Sequence, residues 1–153
     1  MPKYKHILRP IEEIDKSILA YIIQMNEEGH RTDHCCSGVA EDHTHLPYFD
    51  GGIERPHVSF FIGNKTGNMT DSDIDEYSIC IDNAGKRAGF IGEEDSWGLP
   101  RYNLHLKLRE RNGQQIRYTK ADVEMHFNSL VNELKVCIEK IPYEVRKRDF
   151  PFI

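Results

Sequence analysis

Residues 102–109 read Y-N-L-H-L-K-L-R, and this strict alternation says more about the fold than any other stretch of the chain. Successive side chains of a β-strand point to opposite faces, so Leu104, Leu106 and Leu108 are expected to face a core. The polar side chains between them then face water: Asn103, His105, Lys107 and Arg109. A strand with one apolar and one wet face is typical of an antiparallel sheet.

The neighbouring segments extend this strand into a whole domain. Before it, the patterns predict a strand at 3–8, a helix at 10–28, and strands at 31–37 and 57–63. After it, they predict a strand at 115–118 and a helix from 119 to 141. With a helix at 71–88, the order is β-α-β-β-α-β-β-α. We therefore expect a single α+β domain over residues 1–153, with a mostly antiparallel sheet and helices on one face.

The segment 71–88 has two interpretations. Thr70 and Asp73 form a capping pair, acidic residues follow, and apolar residues then recur at helical spacing. Alternatively, Tyr77, Ile79 and Ile81 alternate with polar residues as in a strand, and the D-N-A-G sequence at 82–85 would be a turn. The helix is the favoured interpretation.

Composition limits the class of protein. The chain has 153 residues, 39% of them hydrophobic and 29% charged, with a formal net charge of −5. That charge argues against a dedicated nucleic-acid-binding protein, which usually carries a basic domain. No apolar run approaches the ~20 residues that a membrane span needs, and the first residues lack the apolar region of a signal peptide. The four cysteines are too few for a disulfide scaffold, so we expect a cytoplasmic protein with free thiols.

A window rich in histidine and cysteine runs from residue 30 to residue 57. It contains five of the eight histidines and two of the four cysteines. Imidazole and thiolate groups bind metals of intermediate softness, zinc above all. If the strands at 31–37 and 57–63 pair, five side chains can meet at one point. The sequence thus predicts a metal site, with zinc as the metal it fits best, formed by Cys36, His34, His43, His45 and His57.

Two other interpretations of this window stay open. Cys36 and a nearby histidine could form a nucleophile and base without a metal. Alternatively, the cysteines could be small buried residues of a central strand and the histidines merely solvated. The spacing C-x6-H-x-H-x11-H matches no standard zinc module, so the pattern does not decide among the three.

A second candidate site is basic. Residues 101–120 contain six lysines and arginines against Glu110, a local balance of +5. On the wet face of the predicted strand, His105, Lys107 and Arg109 could bind a phosphate of RNA or of a nucleotide. The alternative is a solvated sheet face whose charges are balanced by acidic residues nearby.

Two resemblances cover the same region. The T-x-x-C-C-S-G sequence at 32–38, with R-P-H-V-S-F-F at 55–61, resembles a group of small bacterial and phage-associated proteins, which implies a shared fold. Val39 stands where that group usually has histidine. The Cys36-Ser37-Gly38 element is also similar to one in the methyltransferase family of tRNA wybutosine synthesis, which implies an RNA partner. Here His34 and Cys35 replace two serines of that element, and Val39 replaces its arginine.

Three functions follow as hypotheses. The first is a small metal-binding protein, such as a hydrolase acting on an unknown small molecule. The second is a module that binds RNA or a nucleotide through the basic strand face, with Cys36-Ser37-Gly38 shaping the pocket. The third is an interaction or oligomerisation domain without chemistry of its own.

Overall fold

The computed structural model describes residues 11–43, 55–63, 69–95 and 100–147. Four helices and six strands lie in these ranges. The helices are α1 (Leu19–Glu27), α2 (Asp71–Arg87), α3 (Lys120–Glu133) and α4 (Tyr143–Lys147). The strands are β1 (Thr32–Cys36), β2 (His57–Phe61), β3 (Phe90–Glu94), β4 (Arg101–Leu106), β5 (Arg109–Arg111) and β6 (Gln114–Ile116). Short 3-10 helices lie at Ile11–Glu13, Ala40–His43 and Leu134–Lys140. The fold class is α+β, as predicted.

The main sheet has four strands in the order β1-β2-β4-β3, and every neighbouring pair is antiparallel. β2 and β4 are therefore the central strands. Val58 of β2 lies opposite Leu104 of β4, and both are fully buried. β5 and β6 form a separate two-stranded hairpin. One face of the main sheet packs against helices, and the other face carries polar side chains.

The core lies between the helices and one face of the sheet. Its largest fully buried side chains come from both layers, so burial of apolar surface links them. They are Ile18, Ile22, Met25, Phe60, Tyr77, Ile81, Phe90, Leu104, Leu106, Phe127 and Leu130.

The segment 71–88 is helical, which confirms the favoured interpretation. The Thr70 side chain accepts a hydrogen bond from the backbone N–H of Asp73 at the first turn. Tyr77 and Ile81, four residues apart, are fully buried, whereas Ile79 between them is 60% exposed. A strand would have placed all three on one face, so this burial pattern distinguishes the two interpretations.

Several predicted boundaries were wrong. The helix expected at 10–28 begins as a 3-10 turn, and its α-helical part starts only at Leu19. The helix expected from 119 to 141 changes to 3-10 geometry at Leu134. β3 was not predicted at all. The strand expected at 3–8 lies outside the described residues.

The alternating strand also ends earlier than expected. β4 stops at Leu106, and Arg109 begins the β5–β6 hairpin, whose turn holds Asn112 and Gly113 at φ values of 52° and 79°. Left-handed backbone of this kind is the tight-turn geometry that Asn-Gly favours. This turn pairs residues 109–111 with residues 114–116, and residues 107–108 separate the hairpin from β4. Within the described ranges, the helices are too short or too polar to cross a membrane.

Candidate functional site

The face of the sheet that points away from the helices carries a cluster of imidazoles. Pairing across antiparallel strands places partner residues on the same face. Cys36 of β1, His57 of β2, His105 of β4 and Ile91 of β3 therefore form one row across the sheet. The next row on this face holds Ser59, Asn103 and Glu93.

His34 joins this cluster through an irregularity in β1. The register shifts by one residue between Thr32, which lies opposite Phe60, and Cys35, which lies opposite Val58. Such a β-bulge redirects side chains at a strand edge. The exposed His34 ring lies edge-on to the His57 ring, with their centroids 5.3 Å apart. Two residues from separate predicted strands are thus in contact.

A groove of about 420 Å³ opens on this face. Its nitrogen-bearing side chains are three imidazoles, two guanidinium groups and one amide: His34, His57, His105, Arg55, Arg101 and Asn103. Ser59, Glu93 and Leu108 complete its lining. The groove is thus rich in hydrogen-bond donors and contains one carboxylate among its lining residues.

The protonation pattern of His57 is fixed locally. Its Nδ1 atom lies 2.9 Å from the backbone carbonyl oxygen of Arg55. A carbonyl oxygen can only accept a hydrogen bond, so Nδ1 carries the proton. In the neutral ring, this contact favours the tautomer in which Nε2 is the acceptor.

His105 is more deeply placed than His57. Only 9% of it is exposed, and this burial lowers the pKa of its imidazole below the usual value. The Glu93 carboxylate, 3.7 Å from Nδ1, acts in the opposite direction, while Arg55 and His57 add to the lowering. His105 is consequently a neutral donor and acceptor at pH 7.

The two arginines of the groove differ in how much charge they offer a ligand. The Arg101 Nε atom lies 2.6 Å from Asp95 Oδ1, and its Nη1 atom lies 3.1 Å from Asp33 Oδ2. These two carboxylates raise the pKa of Arg101 and neutralise its charge. Arg55 is exposed and forms no ion pair with any residue that the structure describes. Arg55 is therefore the cation that a ligand can use.

The Ser59–Asn103 pair adds a directed donor. The Ser59 hydroxyl donates to Asn103 Oδ1 at 2.5 Å, which fixes the orientation of the amide. Because the amide oxygen is engaged, the Nδ2 group of Asn103 is left to donate. The hydrogen bond between the two side chains is partly buried.

A second groove, of about 660 Å³, adjoins the first. The two grooves share Arg55 and Leu108 in their linings. The second one adds Ile91, Lys107, Glu110 and Gln115. Lys107, predicted as a ligand-binding residue together with His105, therefore lies in the groove next to that of His105.

Arg109, the third residue of that predicted set, lies elsewhere. Its Nη1 atom is 2.7 Å from Asp122 Oδ2, and its guanidinium group stacks on the Tyr118 ring at 4.2 Å from the centroid. The expectation that Arg109 shares the His105 face was wrong because the strand breaks after Leu106. Arg109 instead connects the hairpin to α3.

The residues predicted to bind a metal are only partly brought together. His34 and His57 are in contact, and Cys36 lies opposite His57 in the register. The Cys36 sulfur accepts a hydrogen bond from the Gly38 N–H at 3.4 Å. The side chain of His43 and all of His45 lie outside the described residues. Within the described part of the chain, no three His, Cys, Asp or Glu side chains are grouped so that they could hold a metal ion.

The Ser37-Gly38 element ends β1 through hydrogen bonds of its own. The Ser37 N–H donates to Asp15 Oδ2 at 2.7 Å, and its hydroxyl donates to Asp42 Oδ2 at 2.5 Å. Gly38 has a φ of 66°, which glycine adopts without strain. These contacts form a turn that anchors β1 to the N-terminal segment, and neither Ser37 nor Gly38 is among the residues that line the groove.

Sequence patterns missed Arg55 and Glu93 as groove residues. Ser59 could have been found, since it shares the period-two face of His57. No family model, curated protein or solved structure matches this chain.

Proposed function

We propose that the groove binds a phosphate ester, either a nucleotide or a unit of RNA. The observation that carries this proposal is the convergence of three imidazoles, Arg55 and the Asn103 amide on one space of about 420 Å³. Ligand pockets generally measure about 300–1,000 Å³, so a nucleotide is of suitable size. Phosphate oxygens accept hydrogen bonds from all of these donors, and a guanidinium group matches their geometry.

The fixed charges of the groove favour a nucleotide over a compact inorganic polyanion. Arg101 is neutralised by Asp33 and Asp95, and Glu93 adds a negative charge. A densely charged anion would be repelled by that carboxylate. A nucleotide instead presents one phosphate to Arg55 and offers ribose hydroxyls or base amino groups, which can donate to Glu93.

Replacing Arg55 with alanine tests this proposal. We expect the affinity for adenosine monophosphate, measured by isothermal titration calorimetry, to fall about tenfold, since a hydrogen bond to a charged group contributes about 1.5–3 kcal/mol. The matched control is Arg111→Ala, which removes the same charge from an exposed position that lines neither groove. Equal losses in the two variants would contradict the proposal, as would a wild-type protein that does not bind the nucleotide.

A divalent metal, zinc above all, is the second candidate ligand. The contact between the His34 and His57 rings favours it, because imidazole nitrogens are the commonest neutral zinc ligands in proteins. Two imidazoles do not complete a tetrahedral site. The further ligands would be those that the sequence predicts, Cys36, His43 and His45.

Elemental analysis of untagged protein tests the metal. We expect about one equivalent of zinc in the wild type and a loss of most of it in the His34→Ala/His57→Ala double variant if this second candidate holds. His126→Ala is the control, since His126 binds the Ala88 carbonyl away from the groove. Metal-free protein that still binds the nucleotide would reject zinc and retain the first candidate.

A further inference from the structure

We infer that the second groove is a second phosphate subsite, centred on Lys107, and that the natural ligand is a single strand of RNA that spans both grooves. This inference rests on the proposed function of the first groove. The geometric basis is adjacency: Arg55 and Leu108 line both spaces, so the two grooves meet at these side chains. A mononucleotide in the first groove would leave the larger, adjoining space of about 660 Å³ unused.

Two cations are placed to contact successive phosphates. Arg55 lies where the grooves meet, and Lys107 lines the second. Lys107 is exposed and forms no ion pair with any residue in the described ranges. Its backbone is held, because the Tyr118 hydroxyl donates to its carbonyl oxygen. Arg101 in the first groove and Arg109 on the hairpin are already engaged with carboxylates and contribute little net charge.

The other lining groups distinguish RNA from simpler polyanions. Each groove contains one carboxylate, Glu93 in the first and Glu110 in the second. A continuous polyanion would be repelled at both positions. RNA alternates its phosphates with ribose, and the 2′-hydroxyl can donate a hydrogen bond to a carboxylate where DNA has no donor.

Apolar side chains in the second groove can contact a base. Ile91 on β3 is 45% exposed, and the half-buried Leu108 lines the same groove. Single-stranded nucleic acids usually stack their bases on aromatic side chains while cations contact the backbone; here the aliphatic Ile91 and Leu108 offer a base an apolar contact surface instead. Ile91, which does not pack in the core, would contact a base of the bound RNA.

Two phosphate contacts imply a weak dependence on salt. For single strands, the logarithm of the binding constant falls with the logarithm of salt concentration with a slope of about −0.7 per phosphate contact. The wild-type slope is therefore expected to be about −1.4, and about −0.7 after Lys107→Ala. A protein with a fully basic face would give a much steeper slope.

The test compares ligands of different length. Affinities of adenosine monophosphate, a five-nucleotide adenosine RNA and the matching DNA are measured by competition against a fluorescent RNA, at several salt concentrations. We expect the RNA to bind at least tenfold more tightly than the mononucleotide and more tightly than the DNA. Lys107→Ala should weaken RNA binding about tenfold and leave mononucleotide binding within about twofold. Lys120→Ala, a lysine of α3 that lines neither groove, is the control.

The possible outcomes separate this inference from the proposed function. If the mononucleotide binds but the RNA binds no more tightly, or if Lys107→Ala has no effect, the second subsite is rejected and the first stands. If DNA and RNA bind equally, the assignment to RNA is rejected. If neither the mononucleotide nor the RNA binds, the proposed function itself fails.

Discussion

Replacing Phe60 with alanine is expected to lower the free energy of unfolding by about 3–5 kcal/mol, the range typical of a buried phenylalanine. Phe60 is fully buried on the central strand β2, opposite Tyr102 of β4. Its ring packs edge-on against His30, with centroids 5.7 Å apart. The substitution would remove contacts with both layers of the domain and leave a cavity that close packing does not fill.

Chemical denaturation followed by circular dichroism measures this loss. The control is Ile79→Ala, because Ile79 is 60% exposed on α2 and its truncation should change the free energy of unfolding by at most about 0.5 kcal/mol. A similar loss in both variants would mean that Phe60 is not at the centre of the core. Ser59 on the same strand lines the groove. The proposed nucleotide binding should therefore also weaken in the Phe60 variant under conditions where it is partly unfolded.

The second large effect is a loss of stability in mild acid that originates at His30. This histidine is fully buried, and its Nδ1 atom is hydrogen-bonded to the Tyr77 hydroxyl at 2.6 Å. Burial lowers the pKa of His30 from 6.5 to about 4; the nearby Leu134 backbone opposes this shift, and the Arg31 charge adds to it. The folded protein therefore binds a proton at His30 more weakly than the unfolded chain does.

Linkage gives the sign and the size of the effect. Well above pH 6.5 the His30 imidazole is neutral in both the folded and the unfolded state, so it does not lower the free energy of unfolding. As the pH falls from 6.5 towards 4, the unfolded chain gains a proton that the folded protein does not, so stability is lost. We expect about 2 kcal/mol of unfolding free energy to disappear between pH 7 and pH 5 from this residue.

Denaturation of wild type and His30→Asn at the two pH values isolates this contribution. Asparagine cannot titrate, so the loss on going to pH 5 should shrink by about 2 kcal/mol in the variant. His105→Asn is the comparison variant. The pKa of His105 is lowered in the same direction, but His105 is less buried than His30, so its replacement should reduce the loss of stability at pH 5 by a smaller amount. An unchanged pH dependence in His30→Asn would show that another group causes the acid sensitivity.

Local patterns were sufficient to predict α2, α3 and the strands β1, β2 and β4, apart from their exact ends. The alternation of Leu104 and Leu106 needs no tertiary knowledge, and both are buried on one face of β4. Leu108, predicted to face the core with them, lies beyond the end of β4 and lines the grooves instead. Likewise, Thr119 caps α3 through the Asp122 N–H, as the capping pair predicts. The hydrophobic period of a strand and the capping pair of a helix each involve only a few neighbouring residues, so both can be recognised in the sequence alone.

β3 could not be predicted because contacts with other elements, and not its own sequence pattern, determine it. In Phe90–Glu94 only Phe90 is buried, so no alternation is visible. Gly92 stands where a Cβ atom would lie 2.3 Å from Asp82 Oδ1 and 2.7 Å from the Tyr102 ring. Both neighbours come from other elements. A glycine in a strand pattern indicates a close approach of this kind, but the sequence does not name the partner.

The candidate site was predicted as two separate sites. His34 and His57 were assigned to a metal centre, and His105 and Lys107 to a phosphate site. The structure places His57 opposite His105 because β2 pairs with β4, a strand order that periodicity does not contain. The two sets therefore line adjoining grooves on one face, and the function argued for that face differs from the one that the histidine window favoured.

Nuclear magnetic resonance titration is the most direct test of the claim that this open sheet face binds RNA. In ¹H–¹⁵N spectra of the protein with the five-nucleotide RNA, we expect the largest shift changes at residues 55–59, 103–105 and 107–108, together with the side-chain resonances of His57 and His105. Helices α2 and α3 should change little. Shift changes concentrated on the helical face, or none at saturating RNA, would contradict the account.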